Sequence, residues 1–197
     1  GAVTIVFPAY VYHHEGMHKV TVLGEMLAIS AVVMKRRSAE AGARRASTEA
    51  ACAYLREVAA DVASGHSVPF CVTVGLVLPH CPFVAWREDY DRFVGRVGMP
   101  AVPRADPDRE HPWIRWWIED RGIANPDPDA VMRARTAYYG LVRRMDLMVG
   151  QVLDTLKSTG LEDDTLVIYC SDHGEHLGER GLWWKNTLYD EATKVPL

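Results

Sequence analysis

Two hydrophobic periods run along the chain. "AVTIVF" (residues 2–7) is a short β-branched run stopped by Pro8 and predicts a strand. Residues 10–46 are harder to assign; they hold one predicted helix near 23–34, then a polar linker. Ser47 or Thr48 can cap a following helix, with Ala50, Ala53, Tyr54, Val58 and Val62 on one face and Gly65 at its end. "FCVTVGLVL" (residues 70–78) is almost continuously apolar, as in a strand buried on both faces. Residues 79–127 are rich in proline and predict an elaborated loop with a short helix near 87–94 and another small one. "NPDPD" (residues 125–129) then opens a helix with a capping Asp and a first-turn Pro. Val131, Ala134, Tyr138, Leu141, Val142, Met145, Val149, Val152 and Leu156 keep one apolar stripe over about eight turns. Gly160 stops it, "LEDD" turns, and "TLVIYC" (residues 165–170) predicts a second buried strand.

The order helix, strand, excursion, helix, strand predicts an α/β fold with a largely parallel or mixed sheet flanked by helices. The two best strands end in Pro79-His80 and in Ser171-Asp172-His173. Ligands of open α/β sheets bind outside the carboxyl ends of strands, so both ends are expected to face one crevice.

Composition narrows the classes. A chain of 197 residues, 48% apolar and 24% charged, fits a single globular domain. A net charge of −4 leaves no basic footprint for nucleic acid. The basic runs at Lys35-Arg36-Arg37 and Arg44-Arg45 read as a solvated linker or helix face. The four cysteines, Cys52, Cys71, Cys81 and Cys170, have no CxxC spacing and sit mostly in or beside apolar runs. They predict packing in a reducing compartment rather than disulfides. With no leader pattern before Gly1, a cytoplasmic location is expected. The most apolar stretch, residues 20–34, holds Glu25 and is shorter than the roughly 20 residues of a span, so no membrane segment is expected.

Chemistry concentrates in "SDHGEHLGERGLWWK" (residues 171–185). Asp172 and His173, adjacent at a strand end, offer a carboxylate oxygen and an imidazole nitrogen to one metal ion. Gly174 permits a sharp turn, and Gly178 and Gly181 permit close approach. Lys185 adds a compact cation suited to an anionic oxygen. Together they suit a metal-bound tetrahedral oxyanion, sulfate or phosphate; the alternative is a polar loop whose charges meet only solvent. "HEGMH" (residues 14–18) fits a zinc-peptidase pattern with Glu15 as base. Gly16 and the β-branched residues after it argue against the helix this pattern needs. The tryptophans of "HPWIRWW" either pack under the long loop or line a pocket for a cationic or aryl group.

The segment "DDTLVIYCSDHGEHLGERGLWWKNTLYDEATKVPL" resembles the signature near the end of the catalytic domain in sulfatases of the alkaline-phosphatase superfamily. "RTAYYGLVRRMDLMVGQVLDTL" resembles the helix before it, and "PFCVTVGLVLPHCPF" the strand ending in Pro-His-x-Pro. The resemblance covers most of residues 47–197 and is closest to choline-sulfatase-like enzymes. It implies an alkaline-phosphatase-like fold and sulfuric ester hydrolysis. Asp172 and His173 are then half of a divalent metal site, usually calcium. Lys185 holds sulfate oxygens as the ester bond breaks, and His80 touches the sulfate or the leaving oxygen. Glu175 and Glu179 are implied to be supporting groups, and His176 a surface residue.

The family's formylglycine nucleophile arises in a Cys-x-Pro-x-Arg type motif, and no cysteine here fits; Cys81 is followed by Pro-Phe-Val-Ala. Asp163-Asp164, in a turn before a strand, does not match the family's first metal pair. Residues 1–197 are therefore expected to form one partial catalytic domain, with 1–46 unassigned, and to show no turnover alone. The expected ligand is a small-molecule sulfate ester. The expected partner is the missing N-terminal half of the domain or a second copy. Two rival functions remain open: a non-catalytic relative that binds an anion or a partner, and a phosphoryl-transfer member of the superfamily.

Overall fold

The computed structural model describes residues 3–7, 39–66 and 69–196, the first five and residues 39–46 by their backbone. The predicted helix near 23–34 and the HEGMH motif lie outside the described residues.

Three parallel strands form the sheet: β1 (Val3–Phe7), β2 (Cys71–Thr73) and β3 (Thr165–Tyr169), in the order β2-β1-β3. Thr4 pairs with Cys71 on one side and Leu166 on the other, and Val6 with Thr73 and Ile168. The strands therefore point their carboxyl ends the same way. The α/β reading with a parallel sheet stands.

The helices are α1 (Ala39–Ala63), α2 (Arg87–Tyr90), α3 (Pro112–Asp120), α4 (Pro128–Ser158) and α5 (Asp190–Thr193). The longest, α4, starts where the sequence predicts: the Asp127 carboxylate accepts from the Asp129 N–H at 3.2 Å, and Pro128 occupies the first turn. Its predicted stripe is the buried one, with Val131, Ala134, Leu141, Val152 and Leu156 all 5% exposed or less. Gly160, at φ +73°, follows its end.

Several expectations need correction. Ser47 and Thr48 do not cap α1; the helix begins at Ala39, and both side chains are buried within it. Its inner face is Ser47, Thr48, Ala51, Cys52 and Leu55, whereas Tyr54 and Val62 face solvent. In so alanine-rich a helix two neighbouring faces look equally apolar, and packing against α4 selects one; the Cys52 thiol meets the Gln151 carbonyl there at 3.6 Å. Among the described residues the run 70–78 pairs as a strand over Cys71–Thr73 alone; beyond it Val74, Leu76 and Leu78 stay buried on alternate positions. Nor is β3 buried on both faces: Leu166 is 55% and Val167 37% exposed, and among the described residues β3 has a neighbouring strand on one side only. Cys71 is exposed as well, while Cys52 packs in the core, and no disulfide joins the four cysteines.

Candidate functional site

Parallel strands deliver the chain after β2 and the chain after β3 to the same end of the sheet. There they wall a cavity of about 320 Å³ together with α4 and the segment around α5. His80 enters from the first segment and Ser171, Asp172, His173 and Glu175 from the second, while Lys185 reaches in from the following loop. All four sequence-predicted site residues line this one space.

His80 and Lys185 touch. The Nδ1 of His80 lies 2.6 Å from the Cys81 carbonyl oxygen, which can only accept, so Nδ1 carries the proton. Nε2 is then the acceptor, and the Lys185 ammonium donates to it at 2.8 Å. Burial, and next the Lys185 charge, hold the imidazole below the usual histidine range, against the pull of the Cys81 bond. A neutral His80 thus orients Lys185 and leaves other ammonium protons for an anion.

Asp172 and His173 sit at the mouth, their side chains 34% and 29% exposed. The Nδ1 of His173 lies 2.8 Å from the Gly174 carbonyl, which fixes the proton on that nitrogen. The Nε2 lone pair faces Asp172, with Nε2 and Oδ2 3.6 Å apart. With metal–ligand bonds of roughly 2.0–2.6 Å, that spacing lets both atoms meet one cation. The pair fits part of a divalent site. Among the described residues no group of three or more His, Cys, Asp or Glu gathers to complete it.

The supporting loop is built from close approaches. A Cβ on Gly174 would stand 2.1 Å from the Glu191 carbonyl oxygen, and the Gly174 N–H donates to the Ala192 carbonyl at 2.9 Å, so only glycine lets α5 lie against the turn that carries Asp172 and His173. Gly178, at φ +92°, likewise leaves no room for a Cβ against Pro100. Glu175 turns inward and its Oε1 accepts from the Leu177 N–H at 3.1 Å and the Trp184 N–H at 2.6 Å. Burial pushes its carboxyl up, against those two bonds and Lys185. Glu179 accepts from the Val102 N–H at 2.7 Å and pairs with Arg135 at 3.1 Å. Both acids support the loop, as the motif implied.

His176 is not a surface residue. It is fully buried, its Nε2 is 2.6 Å from the Thr187 hydroxyl, and burial holds its pKa down. Its neighbours come from residues 184–189, which no local pattern around position 176 announces. Sequence reasoning also missed Tyr138 and Cys81 on the cavity wall. Tyr138 falls in the helical apolar stripe, where a wall tyrosine and a core tyrosine have the same spacing. Burial pushes the Cys81 thiol up, which keeps it a thiol. Of the three tryptophans in "HPWIRWW", Trp117 is buried while Trp113 and Trp116 are 46% and 47% exposed; none lines the cavity.

Fold and site together define an α/β protein with a crevice at the carboxyl ends of a parallel sheet that gathers His80, Lys185, Asp172 and His173. The family model for sulfatases matches residues 11–197, and the chain belongs to the sulfatase family. It is 36% identical to a choline-sulfatase of Rhizobium meliloti over 135 residues, which are 66% of this chain and 26% of that protein. It is 34% identical over 165 residues to the multifunctional alkaline phosphatase superfamily protein PehA of Trinickia caryophylli, covering 76% of this chain and 30% of that one. Among solved structures, the phosphonate monoester hydrolase of Silicibacter pomeroyi superposes with a TM-score of 0.57 at 28% identity, over 74% of this chain and 31% of its own. That of Agrobacterium radiobacter reaches a TM-score of 0.63 at 24% identity, over 85% and 34%, and supports the fold alone. The chain thus spans between a quarter and a third of the length of these relatives. Among the described residues, no helix is long and apolar enough to cross a membrane.

Proposed function

We propose that residues 1–197 form part of the catalytic domain of a sulfuric ester hydrolase of alkaline-phosphatase-like fold. The observation that carries this is the 2.8 Å contact between Lys185 Nζ and His80 Nε2, from segments 105 positions apart, in the cavity that also holds Asp172 and His173. Lys185 binds the sulfate oxygens. Because His80 Nε2 is an acceptor here, the proton available to the leaving oxygen sits on Lys185 Nζ, and His80 keeps that ammonium aimed. Asp172 and His173 supply two ligands of a divalent ion, calcium in our reading. When bound, such an ion neutralises charge on an ester oxygen.

The formylglycine nucleophile and the remaining metal ligands come from polypeptide beyond these residues or from an associated subunit. The substrate is a small-molecule sulfate ester. The placement of the cysteines in or beside apolar runs, without CxxC spacing, favours a cytoplasmic setting. A phosphoryl-transfer reading has one observation in its favour, the likeness to a phosphonate monoester hydrolase.

The test is titration of the purified chain with inorganic sulfate and, separately, phosphate, followed by calorimetry. Sulfate binding that weakens at least about tenfold in Lys185→Ala supports the reading. Preference for phosphate moves it to phosphoryl transfer. No binding of either anion refutes Lys185 and His80 as an oxyanion site. Assayed alone with an aryl sulfate, the chain is expected to show no turnover. Steady hydrolysis lost in Lys185→Ala would overturn the need for an outside nucleophile.

A further inference from the structure

We propose that Glu175 is the positioning residue of Lys185, acting through the main chain of Trp184 and resting on the reading of Lys185 as the anion-binding group. Trp184, immediately before Lys185, has φ +66°, a left-handed conformation that a bulky side chain adopts only under constraint. Both of its peptide groups are held. Its N–H donates to Glu175 Oε1 at 2.6 Å, and its carbonyl accepts from the His176 N–H at 2.9 Å. The same Oε1 also takes the Leu177 N–H at 3.1 Å, and Leu177 is itself left-handed at φ +51°. One carboxylate oxygen therefore fixes two strained backbone positions, and the one at Trp184 sets the direction in which Lys185 leaves the loop toward His80. Glu175 lines the same cavity as Lys185 and His80, so it acts within the site.

This role depends on where the oxygen sits, not on its charge, and two variants separate those causes. Glu175→Gln keeps a carbonyl oxygen at the Oε1 position. Glu175→Asp keeps the charge but withdraws it by about 1.5 Å, one bond length, out of reach of both N–H groups. Each variant is read at one fixed pH in two ways. The first is inorganic sulfate affinity by calorimetry. The second is the ¹⁵N chemical shift of His80 Nε2, which reports the Lys185 contact without any ligand. We expect Glu175→Gln to stay within about threefold of the parent in sulfate affinity, with an unchanged His80 shift. We expect Glu175→Asp to lose about tenfold and to move the His80 shift toward that of Lys185→Ala. In a Lys185→Ala background, Glu175→Asp should have no further effect on sulfate, because both changes remove the same interaction.

An impaired Gln variant with an intact Asp variant would assign the role to charge and overturn the proposal. So would two intact variants, two impaired ones, or additivity with Lys185→Ala. If the parent chain binds no sulfate, the oxyanion reading fails by itself. The His80 shift still decides whether Glu175 aims Lys185.

Discussion

Replacing Gly174 by alanine adds one carbon, and its cost can be worked from the coordinates. The new Cβ would lie 2.1 Å from the Glu191 carbonyl oxygen, 3.1 Å from the Glu191 carbonyl carbon and 3.3 Å from the Lys194 oxygen. The neighbours are backbone, so no side chain can rotate away, and an ordinary contact requires α5 to retreat by roughly 1 Å. Overpacking of this kind costs about 1–3 kcal/mol. The retreat also breaks the 2.9 Å bond from the Gly174 N–H to Ala192, worth about 0.5–1.5 kcal/mol. The expected total is about 2–4 kcal/mol, or roughly 5–15 °C in the thermal midpoint of a chain this size. Gly150→Ala is the control. That glycine lies inside α4, and an added methyl there would meet nothing within 4 Å, so the same substitution should stabilise by about 0.5–1 kcal/mol through helix propensity. Urea and thermal melts of both variants provide the measurement. A Gly174→Ala protein as stable as the parent, or a Gly150→Ala protein equally damaged, would refute the close-approach argument.

Three further outcomes follow from the same geometry. Asp89 is fully buried, pairs with Arg143, and accepts from Arg144 Nε at 2.7 Å. Asp89→Ala should cost about 3 kcal/mol in urea unfolding, the low end for a broken buried pair, because the Arg143 side chain is 27% exposed and can rehydrate. His80 has a lowered folded pKa, so below its unfolded value of about 6.5 the unfolded chain binds the extra proton first. Stability should therefore fall as pH drops below that value. His80→Gln should flatten the slope of midpoint against pH, and an unchanged slope would count against a neutral, half-buried His80. Calcium should shift the His173 ring resonances at concentrations on the order of millimolar, as fits a partial ligand set; Asp172→Asn should abolish the shift, and a shift that persists would mean the ion binds elsewhere.

How far the sequence could go depended on which forces its signals encode. Helix α4 was readable from end to end because its cap, its stripe and its stop glycine are local features, each fixed within a turn or two of chain. The strand at 165–169 and the motif from Ser171 to Lys185 were readable for the same reason. The face of α1 was not. Ala50, Ala53, Tyr54, Val58 and Val62 form as good a stripe as the true one, and only the partner helix distinguishes them.

The residue types of the site, and the family they belong to, were thus determined by sequence alone: an adjacent Asp-His pair, a Lys after a glycine-rich turn and a His after a strand. Tertiary structure decided their relations. It brought His80 within 2.8 Å of Lys185, turned His176 into the interior and aimed Glu175 at the Trp184 N–H. Local sequence sets dihedral preferences and hydrophobic period, which act over a few residues. Which polar groups meet, and which are desolvated, depends on chain segments from about ten to a hundred positions apart being folded together at one end of the parallel sheet.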